Sequence, residues 1–399
     1  MTSTAPIMSV RRTAMLGAML TALGPVSMAI YTPAMPELVR AFATTESAIK
    51  MSLTLYFGGF AIAQLVSGAM SDAFGRRKAT IAFLLIYLAG GLLAAFAPNV
   101  DVLLAARLIQ GIGASVGVTV ARAVVRDQFS GAQATGILNL IGIMLAVGPA
   151  AGPTIGGLSL LAFGWQSVFV LMLVFGLVSV ITIVLCLRET TIPDPTRLFP
   201  SRLLSAYREL LASPRFLLSA LVLGGSVGAL FAQSTMLPFV LINEVGLSPT
   251  AFGVGMLMQS GSYFTGSIAL RFIARRIGNR HAALIGICMS ATGGVLIFLS
   301  IHFIPASFLS VMAPVGVATF GLALITPYII TAGMAPFPHI AGSASAMMGF
   351  IQMSAGFTAG VAASLLGSPL TSFGTIIPLM ELSAVASYIA FEIIIRKQT

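Results

Sequence analysis

The chain has 399 residues, of which 57% are hydrophobic and 8% charged. Soluble domains carry about 25% charged residues, so a water-facing globule of this size is excluded and the chain reads as a membrane protein. A net charge of +10 would suggest a nucleic-acid partner on a soluble chain, which makes the position of the basic residues decisive.

Arg11 and Arg12 precede an apolar run at 13–33. About 20 such residues cross about 30 Å of hydrocarbon as a helix, so this run is expected to be a first span and not a cleaved leader. Further spans are predicted at 49–71, 79–97, 102–122, 134–159 and 165–187 in the first half. The second half is expected to place six more at 215–240, 250–272, 282–302, 307–332, 341–366 and 373–395. The fold class is therefore all-α, with twelve transmembrane helices in two six-helix halves.

Taken in order, the first chemical feature is the turn after span 2, GAMSDAFGRRK from Gly68 to Lys78. Gly68 is expected to let two helices approach closely and Gly75 to make the turn. Asp72 is expected to accept hydrogen bonds from Arg76 or from helix N-terminal amides. With Arg77, this network would form a gate holding the cytoplasmic side shut; an ordinary basic turn is the plainer alternative.

In span 4, Arg107, Gln110, Gly111 and Ala114 share one helical face. An intramembrane guanidinium is a functional-site hypothesis by default, with snorkelling to the external interface as its alternative. Span 5 contains Asn139 and the run GPAAGPTIGG. Gly148, Pro149, Gly152, Pro153 and Gly156 predict a bent helix packed tightly on a neighbour, suited to sealing a pathway against ion leak.

Residues 188–212 form the longest connection. They divide the chain into an N-terminal bundle (1–187), a cytoplasmic linker (188–212) and a C-terminal bundle (213–399). In the linker, Leu203, Leu204, Tyr207, Leu210 and Leu211 form an apolar stripe, predicting an interfacial amphipathic helix that acts as a tether. The halves repeat weakly: Gly75 aligns with Gly278 and Arg77 with Arg280, while Asp72 falls on Arg275. Two such repeats meeting around a midplane cavity suit a secondary transporter. Glu381 is the one carboxylate well inside a span, where desolvation would favour proton exchange; a static hydrogen bond or an interfacial position is the alternative.

With an even number of spans, 18 of the 21 basic residues fall on the side of both termini. Positive-inside bias places that side in the cytoplasm, so the charge surplus records topology and no nucleic-acid partner is expected. Lys50, Lys78 and Lys397 are the only lysines and none lies in a phosphate-binding GK[ST] motif. Cys186 and Cys288 stand alone in apolar runs, and the three histidines fall at span ends. No metal, cofactor or enzymatic activity is expected.

These motifs resemble the major facilitator superfamily, specifically its Bcr/CflA-type drug efflux transporters. The resemblance rests on YTPAMP (Tyr31 to Pro36), the Gly68 to Lys78 turn, RLIQGIGAS (Arg107 to Ser115), VVRD (Val124 to Asp127) and Gly148 to Gly157. GWQSVF (Gly164 to Phe169) and PHIAGSASAMMG (Pro338 to Gly349) are similar to markers of the group. One departure matters: members of the group usually carry an acidic residue two positions before the span 1 tyrosine, where this chain has Ala29.

The resemblance implies export of a small amphipathic, drug-like compound in exchange for protons, by alternating access, from a bacterial inner membrane. The expected cavity residues are Tyr31, Arg107, Gln110, Asn139, Gln233, Gln259 and Gln352, with Glu381 and Arg107 coupling protons. Partners are then the substrate, protons and the lipid bilayer, with the protein a monomer. A metabolite or sugar exporter of the same fold is the alternative, and a non-transporting membrane sensor is the alternative from another class.

Overall fold

The computed structural model describes residues 6–398; the side chains of residues 132, 135, 139, 142–147, 149, 197, 397 and 398 lie outside the described set. Asn139 and Pro149 therefore have a helical backbone position but no described side chain. Among the described residues there is no strand.

Helix α1 (Val10–Tyr31) leads through a short turn at Thr32–Ala34 into α2 (Met35–Ala41). Then come α3 (Glu46–Phe74), α4 (Arg76–Ala95), α5 (Val100–Ala114), α6 (Val116–Gln128), α7 (Gly131–Phe163) and α8 (Gln166–Cys186). After the connecting α9 (Pro200–Ala212), the second half contains α10 (Pro214–Pro238), α11 (Pro249–Phe303), α12 (Phe308–Met334), α13 (Ala341–Leu366) and α14 (Pro369–Gln398). Ten helices among the described residues are long and apolar enough to cross a membrane. One of them, α11, has 55 residues; at 1.5 Å per residue it is about 80 Å long, enough for two crossings. It is broken at Gly278, whose φ is 82°. The expected span 4 is likewise two segments, α5 and α6, separated at Ser115.

Local sequence sets where these helices begin. Ser9, Thr45, Asn99 and Ser248 each accept a hydrogen bond from the backbone N–H three residues on, satisfying donors that a helix start leaves open. The helices are held in lipid by a different rule: every backbone polar group must be bonded within the segment, so only length and apolarity are demanded of the outer face. Ile62, Phe96, Phe163, Leu185, Phe303 and Leu365 are accordingly exposed.

Buried apolar side chains gather mainly within each half, one cluster around Tyr31, Tyr56, Phe57 and Phe169 that also takes in Phe239 and Met353 of the other half, and two around α10 to α14. They meet along two helix pairs, α3 with α13 and α7 with α11. Along α7, a Cβ on Gly148 would meet Val26, on Gly152 Ala29 and on Gly156 the carbonyl of Ile30. Glycines four apart thus seat α7 against α1. Its next face crosses to the other half: a Cβ on Gly253 would come 2.5 Å from the Pro153 carbonyl, and Thr154 Oγ1 donates to the Gly253 carbonyl at 3.1 Å.

The linker helix α9 divides its apolar stripe. Leu210 is buried and Tyr207 donates its hydroxyl hydrogen to the Leu65 carbonyl, whereas Leu204 and Leu211 are exposed. One side of the helix docks on the bundle, and the other suits an interfacial position.

Candidate functional site

Arg107 lies on the buried face of α5 and is 0% exposed. Its neighbours arrive because α5 has no side chain at two points: a Cβ on Gly111 would strike the Tyr56 backbone carbonyl, and one on Gly113 the Tyr87 backbone. Close approach of α3 and α4 brings their tyrosines to the arginine. The guanidinium sits 4.3 Å from the Tyr31 ring centroid and 4.6 Å from that of Tyr56. Its Nη1 donates to Gln110 Oε1 and lies 3.7 Å from the Met172 sulfur.

The phenol hydroxyls are engaged elsewhere. Tyr31 is bonded to Ser52 at 2.5 Å, Tyr56 to the Gly24 carbonyl at 3.3 Å and Tyr87 to Ser27 at 2.6 Å. Arg107 Nε and Nη2 are left buried without a hydrogen-bond partner, and no carboxylate pairs with the cation among the described residues. Two cation–π contacts contribute about 2 kcal/mol each when desolvated. Each unpartnered donor group costs about 1–3 kcal/mol, and burying the charge costs several kcal/mol more. The aromatic cage therefore offsets only part of the cost of placing this cation.

From the cage an aromatic row runs to the other half. Tyr56 contacts Phe57 and Phe60, and Phe57 lies 5.6 Å from Phe231 of α10. Two residues beyond Phe231, Gln233 accepts a 2.5 Å hydrogen bond from Gln259 of α11, both being buried. Gln352 is half-buried on α13, its backbone carbonyl facing Gly228. Tyr31, Arg107 and Gln110 thus form one cluster and Gln233 with Gln259 another, across the boundary of the halves.

Glu381 stands apart from both. It is 3% exposed on α14, accepts a 2.5 Å hydrogen bond from Ser290 Oγ and lies against Gly294, both on the second limb of α11. Its described contacts are within the C-terminal half and those of Arg107 within the N-terminal half, so the two groups expected to act in coupling do not touch here.

At the face bearing both termini, Arg76 is 2% exposed and forms ion pairs with Asp72 and with Asp127, the latter at 3.0 Å. Gly75 adopts φ 95°, as the turn requires. Asp72 thus takes the first of its two expected partners; Gly68 departs from expectation, and two further details were not legible in the sequence. The N-terminal amides of α4 are taken by Glu189, at 2.7 Å from Arg76 N and 3.2 Å from Arg77 N, and not by Asp72, because the chain after α8 returns across this turn. Arg77 is exposed and donates to the Val184 carbonyl at 2.6 Å. Gly68 is no point of close approach: a Cβ there meets nothing within 4 Å. The network joins α3, α4 and α6 of one half with the start of the linker after α8, while Arg122 reaches Ser345 of the other half.

The opposite face closes with a set of contacts between halves. Asn243 donates to Glu46 at 2.6 Å, Ser47 to the Ser364 carbonyl at 2.8 Å, and buried Lys50 to the Gly367 carbonyl at 3.4 Å with its ammonium 5.2 Å from the Phe239 ring centroid. Sequence reasoning missed this clasp, together with Tyr56, Tyr87, Met172 and Glu189. For the two tyrosines a signal existed in Gly111 and Gly113, which announce a close neighbour without naming it.

The family model of the Major Facilitator Superfamily matches residues 17–360. The chain belongs to this superfamily. Among curated relatives, it is 32% identical over 383 residues to the MFS-type transporter YdgK of Bacillus subtilis (strain 168), covering 94% of this chain and 92% of that one. It is 26% identical over 374 residues to multidrug resistance protein D of Escherichia coli (strain K12), covering 93% of each. It is 27% identical over 336 residues to a chloramphenicol resistance protein of Pseudomonas aeruginosa, covering 82% of this chain and 77% of that one. Among solved structures, the D-xylose-proton symporter matches with a TM-score of 0.73 at 14% identity, covering 94% of this chain and 97% of that one. At that identity the likeness shows the superfamily fold alone. The chain is a membrane transporter with multiple spans.

Proposed function

We propose that this transporter exports small amphipathic organic compounds in exchange for protons, by alternating access between two six-helix halves. The observation that carries the reading is the arrangement of polar groups: a buried cluster in each half, Arg107 with Tyr31 and Gln110 in one and Gln233 with Gln259 in the other, with the Phe57–Phe231 contact between the halves. Apolar walls with a few placed polar groups suit a ligand that is itself amphipathic. Relatives named for multidrug and chloramphenicol resistance favour drug-like cargo over a sugar or metabolite.

Counting α11 as two spans and adding α7 to the other nine candidates gives twelve, with both termini on one face. The excess of basic residues there orients it toward the cytoplasm of a bacterial inner membrane, and the protein acts as a monomer. Glu381 is the proton carrier in this scheme, since it is a buried carboxylate whose hydrogen bond among the described residues comes from the Ser290 hydroxyl. Asp72, Arg76 and Arg77 belong to the cytoplasmic gate, and the Glu46–Lys50 clasp closes the other side.

The test is reconstitution into liposomes loaded with a pH-sensitive dye, with chloramphenicol and a panel of drug-like compounds added under an imposed proton gradient. Compound-dependent proton flux is expected. Its absence across the panel overturns antiport. Glu381→Gln is expected to abolish proton-driven transport and keep downhill exchange; unchanged proton-driven transport removes Glu381 from coupling.

A further inference from the structure

We propose that Arg107 receives the carboxylate of an organic anion, so that the cargo of this transporter includes small amphipathic monocarboxylates. The inference rests on the export reading and names a substrate class for the same site.

Three observations converge on it. The first is charge: among the described residues, a guanidinium at 0% exposure makes its contacts with tyrosines, a glutamine and a thioether. A buried cation is normally paired, and here the missing partner is an anion. A single unpaired guanidinium matches a monoanion.

The second is donor geometry. Nη1 is occupied by Gln110, and the atoms without partners are Nε and Nη2. These two form the side edge of the guanidinium, whose parallel N–H bonds match the two oxygens of a carboxylate. Tyr31 and Tyr56 hold the cation over their rings and turn their hydroxyls to Ser52 and Gly24. Neither hydroxyl competes for that edge, so its two donors stay without a partner.

The third is the surroundings. Tyr56, Phe57 and Phe231 continue from the cation to the boundary of the halves, a surface for the apolar body of the same molecule. Along the same span, Arg122 lies between the halves on Ser345 and pairs with no carboxylate among the described residues. Two cations on one span raise the local concentration of an anion entering from that face. The cage is closed in this conformation; α3, which carries Tyr56, packs against α13 of the other half, and its movement during alternating access would open the cage on that side.

The single tryptophan gives a readout. Trp165 lies 6.0 Å from Phe169, which lies 5.7 Å from Tyr31, which caps Arg107. The full-length protein in nanodiscs is titrated at fixed ionic strength with 4-phenylbutyrate and octanoate, and separately with their primary amides and with chloride, while Trp165 emission is recorded. Saturable responses to the carboxylates at least tenfold tighter than to the amides are expected. Arg107→Gln is expected to remove that preference and Arg107→Lys to retain part of it.

The inference is overturned if neither carboxylate gives a saturable response, if acid and amide bind alike, or if Arg107→Gln keeps the preference. Chloride competing at the same concentrations reassigns the edge to inorganic anions and also overturns it. The comparison of acid with amide needs only the wild-type protein, so a variant that fails to fold leaves the test intact. Chloramphenicol-driven proton flux, measured in parallel, separates the two readings. Flux without a carboxylate preference leaves export standing and removes the anion, whereas carboxylate binding without flux from any compound removes export.

Discussion

The two halves make the same turn and secure it differently. Gly75 and Gly278 occupy equivalent positions, with φ of 95° and 82°. In the N-terminal half the turn is locked by Arg76, 2% exposed between Asp72 and Asp127, and by Glu189 across the start of α4. In the C-terminal half, Arg275 replaces the aspartate, and the nearby ion pair is Arg280 with Glu392, in which the arginine side chain is 43% exposed. A repeated backbone turn therefore carries a buried arginine between two carboxylates on one side and a half-exposed arginine on a single carboxylate on the other. The difference predicts that the N-terminal turn bears much more of the stability.

Five substitutions test that comparison, each read as thermal or denaturant stability of the purified protein. Arg76→Ala leaves two carboxylates without their buried partner and is expected to cost about 3–5 kcal/mol. A loss below about 1 kcal/mol would make the two turns equivalent. Gly75→Ala forces φ 95° on a residue with a Cβ 2.5 Å from Glu189 Oε2 and is expected to cost about 3 kcal/mol. Gly278→Ala meets nothing within 4 Å, so the backbone strain alone remains, about 1–2 kcal/mol; equal losses at the two glycines would remove Glu189 from the argument. Glu189→Gln weakens the anion at the helix N-terminus and is expected to cost about 0.3–1 kcal/mol, less at high salt. The smallest effect is expected from Arg280→Ala, about 0–1 kcal/mol for a pair whose arginine is so exposed.

Much of the site was legible along single helices. The face of α5 that carries Arg107 and Gln110 follows from helical spacing, and the structure buries both. The same periodicity does not say which helices come to that face, so Tyr56 and Tyr87 were invisible except as the spaces left by Gly111 and Gly113. Gly68 misled for the complementary reason: a glycine permits a close neighbour, but only packing supplies one, and there it supplies none. Glu189 lies 113 residues from the backbone amide of Arg76 it accepts from, and no local pattern links such positions.

The sequence by itself determined that the chain enters a membrane and roughly where it crosses, because lipid demands internally bonded helices of fixed length and excludes charge. It also determined the positive-φ turns and the family motifs, which depend on residues close together in the chain. Only the tertiary structure decided the partners: the tyrosine cage around Arg107, its two open donors, the separation of Glu381 from it and the clasp between Lys50 and Gly367. Those depend on which helices meet at a given depth. That is settled by the summed packing of the whole bundle, and no single segment encodes it.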